Sequence, residues 1–409
     1  MNVLLLGNGL DLYYKLPTKY SNFLHIANYL TKHLLTDQQN IGDILSQKEL
    51  QLADPFIKDC YEEHKTILDK LPINIEKLSE ISDIVCKNKW FSYLLKSFNK
   101  DVGWIDFEQE IAFVIANFSC ILPENGKYIS YKNNKHSKYI VDSFGFLVDE
   151  AATRSSAMSG APIVKKEFQI EHPLGSGNIK INKDKIASFL AKELQELSKA
   201  LELYLSCFVD EPLELLRKEN SCKRIPVFKF PEKAVTFNYT STYEAIYLTG
   251  NAYHIHGRIG QNIVLGINPD DADKVDTADT SFIAFKKYFQ RTLYETDYEY
   301  LRWISEIKST QQTYRLIVMG HSLDITDKDI IRDLFGHASE IVVLFHNQDA
   351  KASYISNLVK IYGKDGFDSL RKDQSLTFLP LDGDLSELTE KINAEAELRW
   401  KEILPVQVI

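Results

Sequence analysis

Tyr253-His254-Ile255-His256-Gly257 closes an apolar run with two imidazoles two residues apart. On an extended chain His254 and His256 point to one face and Ile255 to the other. Two histidines on one face at a strand end make either a general base with its neighbour or a pair of metal ligands. No Asp/Glu cluster adjoins them to complete a metal set, so a metal reading needs distant ligands such as Asp11 or His321. A lone histidine there would be read as structural; a pair is harder to dismiss.

Further polar groups stand at the ends of other apolar runs. Val3-Leu4-Leu5-Leu6 stops at Gly7-Asn8-Gly9-Leu10-Asp11. Two glycines two apart let the backbone turn tightly and let a pyrophosphate approach the main chain. Leu12 occupies the third glycine position of G-x-G-x-x-G, so a plain glycine turn is an equal reading. Asp11 suits a helix cap or a ligand contact. Thr236-Phe237-Asn238-Tyr239-Thr240 sets an amide at a strand end, where Asn238 can orient a hydroxyl or a water. The plainer account is an Asx or Ser/Thr turn through Asn238 and Thr240. Met319-Gly320-His321-Ser322 suits a backbone that approaches phosphate or ribose, and the second glycine of a nucleophile elbow is missing, which sets aside a serine hydrolase. Phe345-His346-Asn347 ends one more run, with Asn347 either on a nucleotide or starting a turn. Asp106 and Glu108 in Trp104-Ile105-Asp106-Phe107-Glu108 read as a helix start.

Short, continuously apolar strands are the mark of a parallel sheet covered on both faces. After Lys223 they recur at Val227–Phe230, Ala234–Phe237, Ala252–Ile255, Ile263–Leu265, Leu316–Met319 and Ile341–Phe345. Candidate helices lie between them at Ser281–Lys308, Lys328–Phe335, Ala350–Tyr362 and Leu385–Leu398. This alternation predicts an open, doubly wound α/β sheet. The first strand precedes the others by some 220 residues, and the region between is rich in Leu, Ile, Lys and Glu at helical spacing. Its clearest helix is Asn182–Leu205; Ser155–Pro162 and Gly175–Gly177 read as loop or hairpin. The expected organisation is a Rossmann-like domain from residues 1–40 and 223–409 interrupted by a mostly helical insertion, 41–222. Parallel strands deliver their carboxyl ends to one edge, so the polar strand ends should converge, and the set weighs more than any member.

Composition narrows the classes. The chain has 409 residues, 48 basic against 57 acidic, for a net charge of −9. That balance disfavours a nucleic-acid partner held by bulk electrostatics. No apolar run approaches the roughly 18 residues of a membrane helix, and the N-terminus has no basic region before its short apolar stretch. The five scattered cysteines form no Cys-x-x-Cys pair. A cytoplasmic protein with reduced thiols and no membrane partner is the expectation.

Leu5-Leu6-Gly7-Asn8-Gly9-Leu10-Asp11 followed by Leu16-Pro17-Thr18-Lys19-Tyr20-Ser21-Asn22-Phe23 resembles the opening motif of the AbiH family of phage abortive-infection proteins, with Leu10 where the family usually has Phe. Trp104–Glu108, Phe237–Thr240, His254–Gly257 and Gly320–Leu323 follow in the family's order. More distantly the pattern is similar to the sirtuin-like NAD-binding fold. That resemblance implies NAD or a related nucleotide as ligand or substrate, no metal, and cleavage of NAD to nicotinamide and ADP-ribose. It implies Asn238 and His256 for catalysis. Gly7, Asn8, Gly9, Asp11, Thr240, His254, Gly320, His321, Ser322 and Asn347 would bind the nucleotide, with Gly7 and Gly9 at phosphate and Gly320, Ser322 and Asn347 at the adenosine half. Two departures matter: the zinc cysteines of protein deacylases have no counterpart, and Thr240 stands where sirtuins carry an Asp. A phage-derived trigger and a homo-oligomer are further expected partners. A metal-dependent hydrolase or nuclease and a non-catalytic nucleotide sensor are the alternatives.

Overall fold

The computed structural model describes residues 1–35, 37–98, 105–121, 135–146, 165–170, 180–219, 223–229, 231–247, 252–267, 280–373 and 376–403. Its centre is a six-stranded sheet, every pairing parallel. We number its strands β1 (Asn2–Leu6), β2 (Lys233–Thr236), β3 (Tyr253–His254), β4 (Tyr314–Met319), β5 (Ala338–Phe345) and β6 (Thr377–Pro380). Their spatial order is β3-β2-β1-β4-β5-β6, the doubly wound order whose direction reverses between β1 and β4.

The apolar runs are continuous because both faces of the sheet are buried. Leu4 and Leu6 of β1, Ala234 of β2, Ile317 and Met319 of β4, and Val342 and Leu344 of β5 enter one core. Val3, Leu5, Val235, Leu316, Val318, Ile341 and Val343 enter the other. The period of two along a strand thus divides each run between two cores. The first core joins the sheet to the helices that lie between β1 and β2, including Tyr20–Lys32, Ile75–Val85, Phe107–Ile121 and Lys183–Leu205. The second packs beneath Tyr298–Thr310, Lys328–Gly336 and Gln348–Asp373. Asn182 caps the 23-residue helix Lys183–Leu205 by accepting from the Lys185 N–H at 3.0 Å.

Several elements differ from expectation for local reasons. Val227–Phe230 was expected as a strand, but Pro226–Phe228 is a 3-10 turn; Pro226 fixes φ and has no N–H for a sheet ladder. Ile263–Leu265 forms only a bridge, Gly257 to Ile263, and folds back so that the Val264 N–H donates to the His256 carbonyl at 2.8 Å. The helix expected over Ser281–Lys308 is two, Lys287–Tyr294 and Tyr298–Thr310, divided where Glu295 takes a left-handed φ of 54°. Edge strand β6 was not anticipated, since Thr377-Phe378-Leu379-Pro380 is half exposed and ends in proline. Trp104, Ser155–Pro162 and Gly175–Gly177 lie outside the described residues. No helix among the described residues is long and apolar enough to cross a membrane.

Candidate functional site

The carboxyl ends of β1, β2 and β4, with the turn after β3, border a cleft of about 620 Å³. Of the residues singled out in the sequence, Gly7, Asn8, Asp11, Asp106, Glu108, Asn238, Thr240, His256, Gly320, His321 and Ser322 line it. The cleft thus opens at the reversal between β1 and β4, where doubly wound sheets receive ligands.

The two glycine loops pack against each other. A Cβ on Gly7 would stand 2.6 Å from the His321 Cα, and one on Gly9 would run into the Gly320 Cα. Gly320 itself has φ +70°, open to glycine at little cost. The Gly9 N–H donates to the Gly320 carbonyl at 2.9 Å and the Gly7 N–H to the Met319 carbonyl at 3.1 Å. Close approach of two backbones therefore accounts for the glycines. Asn8 ties the first loop to the next segment, its Oδ1 accepting from the Thr18 hydroxyl at 2.5 Å.

The β2 end carries Asn238, 7% exposed, with Phe237 and Thr240 beside it. His254 does not line the cleft. Its Nδ1 donates to the Asn238 carbonyl at 2.9 Å and its Nε2 lies 2.8 Å from Glu244 Oε1. Burial pushes the Glu244 carboxyl up, and the bond and charge of His254 pull it below its ordinary value. His254 thus fixes the backbone at Asn238. Only His256 of the pair lines the cleft; β3 ends at His254 and the chain turns through Gly257 at φ +77°. His256 points instead toward Asp327, with Nε2 3.3 Å from Oδ1 but out of hydrogen-bond alignment.

Asp327 is the centre of a buried ionic group. Its Oδ1 accepts from Lys287 Nζ at 2.9 Å, and the same ammonium lies 2.7 Å from Glu108 Oε2. His321 Nε2 stands 3.6 Å from Asp327 Oδ2. The Leu323 N–H donates to His321 Nδ1 at 2.9 Å, which leaves the proton on Nε2. Leu323 holds a left-handed φ of 53° to do this, a conformation that costs a side-chain-bearing residue about 1 kcal/mol or more. Phe237 fills the space between the imidazoles, 5.0 Å from His256 edge-on and 4.2 Å from His321.

Burial, reinforced by the Lys287 charge and opposed by Asp327, lowers His256 to about 4. Burial pushes Asp327 up, but Lys287 and His256 hold it well below the carboxylate range. Burial raises Glu108 despite Lys287, with Asp327 and Asp106 adding repulsion. Asp11 is 1% exposed, and burial lifts it to about 7 against the hydroxyls of Thr242 and Thr240. The Thr240 hydroxyl donates to Asp11 Oδ2 at 2.8 Å. The short helix after β1, Gly9–Tyr13, therefore brings a carboxylate to Thr240, the position where the resemblance leads one to look for an Asp.

Asn347 lies outside the cleft. Its Oδ1 accepts from the Ala350 N–H at 2.8 Å, capping the helix Gln348–Asp373. Asn347→Ala is expected to cost about 1 kcal/mol of stability, measurable as a lower urea midpoint. Asp106, read as a helix start, caps Phe107–Ile121 through the Glu108 and Gln109 N–H groups. The sequence marks Glu108 only as part of that start. No local pattern marks Lys287, which sits in the first turn of an ordinary amphipathic helix. Among the described residues no group of three or more His, Cys, Asp or Glu side chains is placed to hold a metal.

Fold and cleft define a doubly wound α/β protein with a polar, histidine-bearing site at its topological switch point and a large helical insertion after β1. The chain belongs to the bacteriophage abortive infection AbiH family, whose model matches residues 3–346. No curated protein and no solved structure matches it significantly.

Proposed function

We propose that the cleft binds NAD and hydrolyses its nicotinamide–ribose bond, giving nicotinamide and ADP-ribose. The observation that carries this reading is the meeting of Asn238 and His256 at the mouth of β1, β2 and β4. A cleft of about 620 Å³ falls within the size range of small-molecule and cofactor sites, about 300–1,000 Å³. The N–H groups of Gly7 and Gly9 are already engaged, so Lys19 and Lys360, which also line the cleft, are the cations to face a diphosphate.

In the proposed reaction the C1′–N bond breaks and its electron pair neutralises the pyridinium, leaving an oxocarbenium-like ribose. Water adds to C1′ and gives up its proton. Asn238 holds that water or the ribose hydroxyls, and neutral His256 takes the proton. A base as weak as His256 suffices, because water adding to an oxocarbenium becomes strongly acidic. Holding His256 neutral keeps it in the basic form throughout the physiological range.

Purified protein incubated with NAD in chelator should release nicotinamide and ADP-ribose, separable by chromatography. Asn238→Ala and His256→Ala should each lose at least about a hundredfold in rate with unchanged circular dichroism. Full activity in both variants would remove this mechanism. Activity present with added divalent metal and absent in chelator would instead support the metal-dependent reading.

A further inference from the structure

Asp11 Oδ1 is shut away from water and has no hydrogen-bond partner among the described residues. Its other oxygen is satisfied by Thr240, whose hydroxyl receives in turn from Thr242 at 3.1 Å. The residue nevertheless forms part of the cleft wall. A buried carboxylate oxygen without a donor costs about 1–3 kcal/mol or more, and a group brought in by a ligand can remove that cost. The neighbours facing Asp11 are Asn238, Thr240 and Thr242 from the end of β2 and the helix after it, and Asp210 from the π-helical segment Ser206–Asp210. None of these is a cation, and Asp210 opposes a second negative charge. A ligand hydroxyl is the complementary donor, because it satisfies an oxygen without bringing charge into a closed space.

We infer that Asp11 accepts a hydrogen bond from a ribose hydroxyl of the bound nucleotide, and that engaging it expels a proton from the cleft. The inference rests on the nucleotide reading above. In the empty cleft Asp11 shares its time between acid and carboxylate near neutral pH. A donated hydroxyl favours the carboxylate, so the carboxylic proton passes to the buffer as the sugar enters.

The test is titration calorimetry of the full chain with ADP-ribose, the product that is not turned over, at pH 7 in two buffers of different ionisation heat. Wild type should release roughly half a proton per ligand. Asp11→Asn should release clearly less and bind about ten- to a hundredfold more weakly. Thr240→Val, which removes a hydroxyl that lowers Asp11, should release more than wild type and serves if Asp11→Asn does not fold. Binding without release in wild type, or equal release in wild type and Asp11→Asn, overturns the assignment to Asp11 alone. Failure of both ADP-ribose and NAD to bind overturns the nucleotide reading and this inference with it.

Discussion

Lys287→Met is expected to lower stability at pH 7 by about 3–5 kcal/mol, the usual cost of removing one partner from a buried ion pair. One ammonium, 3% exposed, serves both Glu108 and Asp327, so its loss leaves two buried carboxylates facing each other. The deficit should shrink in acid, because Glu108 and Asp327 can then take up protons. Urea midpoints at pH 5 and pH 7.5 for the variant and wild type measure this directly. The same substitution should act on His256. Its depressed value stems from burial and then from Lys287. With the ammonium gone, Asp327 is free to pair with an imidazolium, and His256 rises. In wild type this group favours folding fully above its unfolded value near 6.5, and that contribution is lost as pH falls toward 4. The variant should lose less over that interval. In the NAD assay, the acid limb of kcat/KM should move upward from about 4 by a unit or more, and Lys287→Arg should restore it. An unchanged urea midpoint together with an unchanged acid limb would show that the ionic group is incidental.

That group also shows where sequence reading stops. The strands were legible because burial on both faces leaves nothing but apolar side chains, and parallel pairing then sends the polar strand ends to one edge. That logic points to Asn238, His256, Gly320 and His321, which line one cleft. His254 does not line the cleft because its imidazole is taken up by the Asn238 carbonyl and Glu244, partners that strand alternation does not reveal. The glycines were legible as tight turns, but their tight packing partner was not: Gly9 and Gly320 are separated by most of the chain and meet only because β1 and β4 are neighbours. Glu108 and Lys287 lie beyond local inference for the same reason. One comes from the helical insertion and the other from the helix after β3, and neither carries a spacing that signals the other. A buried charge is recognised from its partners, and those are supplied by tertiary structure. Asn347 is the reverse case, a strand-end amide read as either a nucleotide contact or the start of a turn, whose side chain the structure places locally, on the Ala350 N–H.

Asp11→Asn is expected to make the unliganded protein more stable at pH 8 by up to about 4 kcal/mol relative to its effect at pH 4. Folding raises this carboxyl from the ordinary 3.8 to about 7. Its contribution is therefore fully present below the unfolded value and is lost as pH rises through about 7, where the buried side chain must ionise beside Asp210 with one oxygen unbonded. Asparagine keeps the shape and never ionises. His256 works in the opposite sense between 4 and 6.5, so the wild-type profile alone would hide both groups. The difference between variant and wild type, taken from urea midpoints at pH 4, 6 and 8, separates Asp11 from the rest. The variant should draw ahead of wild type steadily from pH 4 to 7 and hold its gain above that. A destabilised variant with the same deficit at every pH would mean that Asp11 acts as an ordinary structural acceptor for Thr240. A stabilised variant that also loses nucleotide affinity would identify a carboxylate kept at a cost to folding for the sake of the ligand. That combination is the one the orphaned Oδ1 predicts, because a hydroxyl brought by the ligand is what would offset the cost of leaving it unbonded.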